Sequence, residues 1–539
     1  MFRTRFAFSI LPRYTAIFAG VFTGLLLAGC GSDDDKSSDT TGVGALQADG
    51  SDAVNKALAA LGGKQALSEL KGIQYDSSGT RYALNEGLNP EDVTQVNTYE
   101  TKRYLAISGA QLRLDTERKL TFIGVATDNQ YSEIVDGNAG FLQGDDGLAA
   151  GFATPNSALT AARVAAVKKQ QMLLNPQILL AKVARGEATA TEPGVELVDG
   201  QLQRTFEVEG IRFFINAATG YVTKVSVLED VSPFKDAQVE AVFDGWQAGD
   251  GTDVMFPQLA AMSAAGERVL VESRGITSAV TELDATKFAL PGPGAAFSQT
   301  EAARGAEAQA ALSQPQALGI PFRDSLQTTV TPTELAPGVW HLTGGSHNSL
   351  IVEQAASYVL VEAPLDPFRT LAVTSWARDN LAGKPLAYVI NTHHHEDHSA
   401  GVRQAVGLGA RLVAHQAGAA FWQRVLNAPA TVIADSLSGA PPRTTVEYVK
   451  AGDTLVLPDA TNPVTAYSVA NCHANDMLVI GVGKFMFTSD LVSPGNGQPL
   501  CPLSQTLGAL AAYNFNPETI VGGHGTTALA ADLLAQYPN

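Results

Sequence analysis

A predicted apolar strand, PLAYVIN (residues 385–391), runs directly into THHHEDH, which places four of the chain's nine histidines in the six residues 393–398. His393, His395, Asp397 and His398 follow the pattern H-x-H-x-D-H. In an extended chain alternate residues share a side, so His393 and His395 point the same way. A tightening loop then brings Asp397 and His398 to a neighbouring point. Imidazole and carboxylate are ligands that Zn²⁺ takes at roughly 2 Å. Buried imidazoles at this density are costly without a metal or hydrogen bonds. A fold that carries such a cluster must also deliver further ligands from distant strand ends.

Three later segments offer them. NCHAND holds His473 beside a turn. KFMFTSDLVS holds Asp490 at the end of a strand. TIVGGHGTT holds His524 just after an apolar strand, with glycines that allow close backbone approach. His394 occupies an "x" position and is expected to face away, and His341 reads as surface or core. Cys472 and Cys501 form a disulfide or remain two thiols, because the sequence does not place their Cα atoms.

In this order, THHHEDHSAG, CHANDM, FTSDLVSP and GGHG resemble the motifs of the metallo-β-lactamase superfamily, over about the last 210 residues. The resemblance implies an αββα sandwich with two divalent metal ions at one edge, Zn²⁺ first, with Fe and Mn also suited to His and Asp ligands. It puts His393, His395 and His473 on one ion and Asp397, His398 and His524 on the other. Asp490 bridges, and Asp397 and Asp490 carry the catalytic roles. His347, in GGSHNSLIV, falls where the family's second strand begins, near substrate or behind the ligands; His415, in RLVAH, is assigned to packing behind the site. The implied chemistry is attack by a metal-bridging hydroxide on an ester, thioester, lactone or related bond of a small molecule. No serine or cysteine nucleophile is then needed, and no convincing G-x-S-x-G element occurs. The best-known β-lactamases of this fold carry cysteine at the position of Asp490. Aspartate there looks more like the glyoxalase II, lactonase, sulfatase and phosphodiesterase branches. Two other readings stand beside the hydrolase. One is a lipid- or lipoprotein-binding protein with a vestigial metal domain, the other an iron-dependent enzyme resembling sulfur dioxygenases.

The N-terminus reads as an address. Arg3, Arg5 and Arg13 precede the apolar run YTAIFAGVFTGLLLAG, which ends in LAGC. This resembles a lipobox, implying a signal peptide over residues 1–29 and a diacylated Cys30. The protein would then face the periplasm from a membrane, and Gly31 favours the outer one. Residues 30–52 read as a tether, and residues 292–325, rich in Gly, Pro, Ala, Ser and Gln, as a linker. Between them, residues 53–291 alternate strand and turn signals around a helical block with Ser157 as its expected N-cap. Their layout and the stretch TGYVTKV resemble the half-barrel domains of bacterial lipoprotein carriers, an α+β fold in which a curved antiparallel sheet wraps a helix. Residues 326–539 read as an α/β layered domain. Every ligand candidate falls there, so the first region is expected to contribute none and to be separable. With 45% hydrophobic and 17% charged residues the chain is globular. Its net charge of −18 repels phosphate backbones and argues against a nucleic-acid partner. The oligomeric state stays open.

Overall fold

The computed structural model describes residues 50–121, 127–144, 146, 156–159, 161–291, 328–438, 446–497 and 499–537. The expected signal peptide, Cys30, all but the end of the tether and the linker at 292–325 lie outside the described residues. Among those described, no helix is long and apolar enough to cross a membrane.

The first half builds a 14-stranded sheet whose neighbours pair antiparallel. At its centre lies a long hairpin of β1 (Gly72–Leu84) and β2 (Val93–Ala106), paired from Gly72↔Ala106 to Leu84↔Val93. The period of two is visible on β1, where Ile73, Tyr75 and Ser77 are buried while Asp76 and Ser78 are exposed. Helices Gly50–Ala60, Lys64–Glu69, Ala161–Leu174 and Gln177–Arg185 cover the sheet. Ala57, Leu67, Val167 and Leu180 share a core with Ile73, Phe206, Phe213 and Val239. Gly62 (φ 106°) and Gly63 (φ 94°) end the first helix in a conformation that favours glycine. Asn175 and Pro176 interrupt the second helical pair, as their sequence predicts.

Two local expectations fail. Ser157 does not cap a helix. It lies in the short strand Ser157–Ala158, paired with Phe141 and Leu142, and the helix starts later, at Ala161. Strand pairing at a buried edge position overrides a capping preference worth only about 1 kcal/mol. The first helix, in turn, begins at Gly50 inside the stretch read as tether, where Asp52 ion-pairs with Arg204.

The second half is a four-layered αββα sandwich. Its first sheet orders Thr331–Ala336, Val339–Thr343, Ser349–Glu353, Tyr358–Val361, Leu386–Ile390, Arg411–His415 and Val446–Val449, antiparallel through the first four strands and parallel thereafter. The facing sheet runs from Thr454–Leu457 to Thr527–Leu529 in six strands. Alternation sorts one strand between two cores. Leu350 and Val352 pack between the sheets with Leu478, Ile480 and Phe487, whereas Ile351 packs outward under helices Pro367–Asn380 and Ala419–Asn427. Helices Leu503–Ala511 and Ala530–Gln536 cover the other outer face.

Residues 48–539 form one compact unit. Phe234, from the first half, meets Phe421 edge-on at 5.8 Å and lies under the Arg424 guanidinium, 3.9 Å from the ring centre. Asp236 accepts hydrogen bonds from the backbone of Thr431 (2.7 Å) and Val432 (3.0 Å).

Candidate metal centre

Each ligand candidate follows a buried strand of the sandwich. The cluster of residues 393–398 follows Leu386–Ile390, and His473 comes after Val464–Ser468. Asp490 follows Phe485–Phe487, and His524 follows Thr519–Val521. Ser489 takes a left-handed conformation (φ 52°) that turns the chain just before Asp490. These strand ends bring His393, His395, His473 and Asp490 together, with donor atoms within 4.8 Å of one another. His347, Asp397, His398 and His524 form a second such group. Asp490 faces both. Its Oδ2 is 3.1 Å from His473 Nε2 and 3.7 Å from His393 Nε2, while its Oδ1 is 2.9 Å from His398 Nε2 and 2.8 Å from His524 Nε2.

The outward side of each ring decides which nitrogen faces inward. His524 Nδ1 donates to the Ser346 carbonyl at 2.8 Å and His395 Nε2 to the Gly87 carbonyl at 2.9 Å. His398 Nδ1 donates to Glu362 at 3.0 Å, and His393 Nδ1 to the Thr392 hydroxyl at 3.0 Å. Each bond occupies one ring nitrogen and leaves the other facing the centre. Glu362 is fully buried and also accepts from Thr392 Oγ1 (2.5 Å) and from the Ser489 hydroxyl.

Electrostatics divide the rings. Burial, helped by neighbouring imidazoles, pushes His395 down to about 3 and His393 well below its ordinary value, so both are neutral. Burial also takes His347 down to about 4. For His398 and His524 burial opposes a charge, but the Asp490 carboxylate outweighs it and raises both. Asp490 and Asp397 are held low because the positive field of His398 overcomes their burial. A divalent ion would take the place of these protons. Asp397 Oδ1 is buried with no hydrogen-bond partner among the described residues. Carboxylate oxygens and imidazole nitrogens that converge within 4.8 Å of one another, one of the oxygens without a partner, fit a cation, so the donor set suits divalent metal.

The other candidates divide. His347 Nε2 donates to Asp397 Oδ2 at 3.0 Å and belongs to the second group. His415 lies outside these groups; its Nδ1 accepts from Ala417 N (3.1 Å) and its Nε2 meets Ser468 Oγ at 3.0 Å. His394 turns away to Asp476, 2.6 Å from Nδ1, and His341 to the Gly522 carbonyl at 3.1 Å. Cys472 and Cys501 are joined in a disulfide, Cα–Cα 5.7 Å, immediately before His473.

Sequence reasoning missed three participants. Glu362 ends an ordinary apolar strand, and nothing in VLVEAP marks it. Glu86 and Gly87 come from the first half, which had been expected to contribute none. The Glu86 side chain is 6% exposed and 3.8 Å from His395 Nδ1, and with His395 and Asp397 it forms a further cluster of donor atoms. Burial and then the Asp397 charge raise its pKa well above the ordinary carboxylate value.

Residues 342–524 match the family model described as the metallo-beta-lactamase superfamily. Among solved structures, a metallo-beta-lactamase from Pontibacter korlensis is similar at 17% identity and TM-score 0.31, over 39% of this chain and 98% of that one. A metallo-beta-lactamase from Hirschia baltica gives 22% identity and TM-score 0.31, over 39% and 97%. The metallo-beta-lactamase FIM-1 from Pseudomonas aeruginosa, in its mono-zinc form, gives 20% identity and TM-score 0.30, over 39% and 94%. No curated protein matches the sequence significantly. On the strength of the family match, residues 342–524 are a metallo-beta-lactamase superfamily domain.

Proposed function

We propose that this chain is a binuclear metal-dependent hydrolase of an ester, thioester, lactone or related bond in a small molecule, held at the cell envelope by a lipid on Cys30. The observation that carries the reading is Asp490, whose two oxygens face two separate donor groups across 2.8–3.7 Å. His393, His395 and His473 would hold one ion, Asp397, His398 and His524 the other, and Asp490 both. Zinc suits this mixture of imidazole and carboxylate. Bound ions would supply Lewis acidity and a water acidified to a nucleophile near neutral pH. The chain's part is to hold the donors in their ligating forms. Glu362 orients His398, the Ser346 carbonyl orients His524, and His347 occupies Asp397 Oδ2 so that Oδ1 stays free.

Elemental analysis of the purified protein, with a panel of esters, thioesters and lactones, is the test. Two zinc ions per chain are expected, with turnover abolished by chelation and restored by zinc. Protein without divalent metal, or turnover indifferent to chelation, overturns the hydrolase. Iron in the site with oxygenation of a sulfur substrate instead of hydrolysis would favour the dioxygenase-like alternative. The anchor is tested separately. Mass spectrometry should find residues 1–29 removed and Cys30 acylated, with the protein facing the periplasm; an intact residue 1–29 segment overturns that part alone.

A further inference from the structure

The loop joining β1 to β2, residues 85–92, reaches across to the metal centre. Gly87 O accepts the proton of His395 Nε2, and Glu86 Oε1 accepts from the backbone N–H of Glu396 at 3.3 Å. One step further on, Leu88 O accepts from Asn475 N at 2.8 Å, and Asn89 Oδ1 accepts from Asn475 Nδ2 at 2.8 Å. The loop thus touches both the segment that carries His395 and the one that carries His473. It is also tied to itself. Asp92 Oδ2 accepts from Asn89 N (2.9 Å) and Asn89 Nδ2 (3.0 Å), and Thr94 Oγ1 donates to Glu86 O at 2.6 Å. A side chain at Gly87 would meet Asp92 Cβ at 2.3 Å, so the loop closes in this shape only with glycine there.

We infer that the β1–β2 loop is a built part of the metal centre, with Gly87 as the group that fixes His395 in its ligating tautomer and Glu86 as an additional carboxylate donor. The inference rests on the hydrolase reading above and deepens it. His395 has two ring nitrogens, and the Gly87 carbonyl can only accept. Nε2 must therefore carry the proton, and Nδ1 is left for the ion. Glu86 adds charge where charge is short. Two divalent ions bring four positive charges, and among the seven candidate ligands only Asp397 and Asp490 are carboxylates. A third carboxylate, held within 4.8 Å of donor atoms on His395 and Asp397, reduces the excess in a desolvated site. The centre is then assembled from both halves of the chain.

The experiment is a cobalt(II) titration of the metal-free full-length protein, followed by visible absorption and by competition with a chelator, with no substrate present. Wild-type protein should take up two ions. Gly87→Ala should weaken one of them by about 10- to 100-fold and change its absorption spectrum, as loss of an orienting hydrogen bond does. Glu86→Gln, which preserves size, should weaken uptake of one ion by at least about tenfold, in the same range. Glu91→Gln removes an exposed carboxylate from the same loop and should change nothing. Wild-type affinity and spectrum in both Glu86→Gln and Gly87→Ala would overturn the inference while leaving the hydrolase intact. So would an equal loss in Glu91→Gln, which would reduce the effect to general charge. Wild-type protein that takes up no cobalt would overturn the metal reading itself, and this inference with it.

Discussion

At the scale of single residues, the centre depends on groups whose importance differs from what their spacing announces. Asp490→Ala removes the side chain whose two oxygens each face a different donor group. It should lower the metal content from two ions towards one and reduce turnover together with it, read by elemental analysis and kinetics on the same preparation. His394→Ala should leave both ions in place, because that ring points to Asp476 and not to the centre. It should still cost about 1–3 kcal/mol of stability in denaturant unfolding, because the buried Asp476 carboxylate loses its partner. Glu362→Gln keeps the shape of the pocket under His398 but weakens the acceptor, and metal affinity should fall by about 10- to 100-fold. The convergence of the seven candidate ligands was legible because imidazoles and aspartates at the ends of apolar strands have few other uses. Glu362 and Glu86 were not, because a carboxylate after a strand or in a turn such as NEGLNPED has the composition of any solvated corner. Only tertiary packing shows that both are buried.

Elements show the same division between local and distant information. The apolar strand that runs into the histidine cluster could be read directly, since an unbroken apolar run leaves a local mark. The pairing of Ser157 with Leu142 could not, because its partner lies on another strand. Within the first sheet, β1, β2 and the strand Glu267–Arg274 enclose a charge network. Glu272 accepts from Arg103 at 2.7 Å, from Arg274 at 2.6 Å and from Tyr99 at 2.9 Å, all buried. Burial alone would raise the Glu272 pKa, but Arg103 and Arg274 outweigh it and lower it to about 2. An unfolded glutamate titrates near 4.3, so the folded state binds this proton more weakly than the unfolded chain does. The stabilisation is therefore complete above about pH 5 and is lost as pH falls towards about 2, a loss that pH-dependent unfolding can follow. Glu272→Gln should cost about 3–5 kcal/mol at neutral pH, since it leaves two buried guanidiniums uncompensated, and should flatten that acid limb. In the second half, the Cys472–Cys501 bridge closes a loop of 29 residues beside His473. Cys501→Ser should lower stability by about 3–4 kcal/mol and loosen the ion held by His473 more than its neighbour.

For the molecule as a whole, composition and motif order separated a layered second half from an antiparallel first half. What they did not reveal is how closely the two engage. Phe234 under Arg424 and the capping of Thr431 by Asp236 tie the halves together away from the centre, and the β1–β2 loop ties them at it. A chain beginning at residue 328 retains the seven candidate ligands but loses Glu86, Gly87 and the cover over Phe421. It should bind its ions more weakly than the full protein by about tenfold or more, and should gain the difference back when the β1–β2 loop is present. Equal affinities in the two forms would show that the sandwich is self-sufficient.

The bond between His395 and Gly87 also has a consequence in time. Its partners are 308 residues apart, so closing it requires most of the chain to be in place. By loop-closure entropy alone such a contact costs on the order of 5 kcal/mol, and contacts of this separation form late. The strand ends of the sandwich can gather their ligands from nearer neighbours. On refolding with cobalt present, secondary structure should therefore recover first, and the absorption of the finished centre should lag behind it. Ions caught early would sit in a half-made site and exchange freely, so that discrimination among competing metals is deferred until both halves have met.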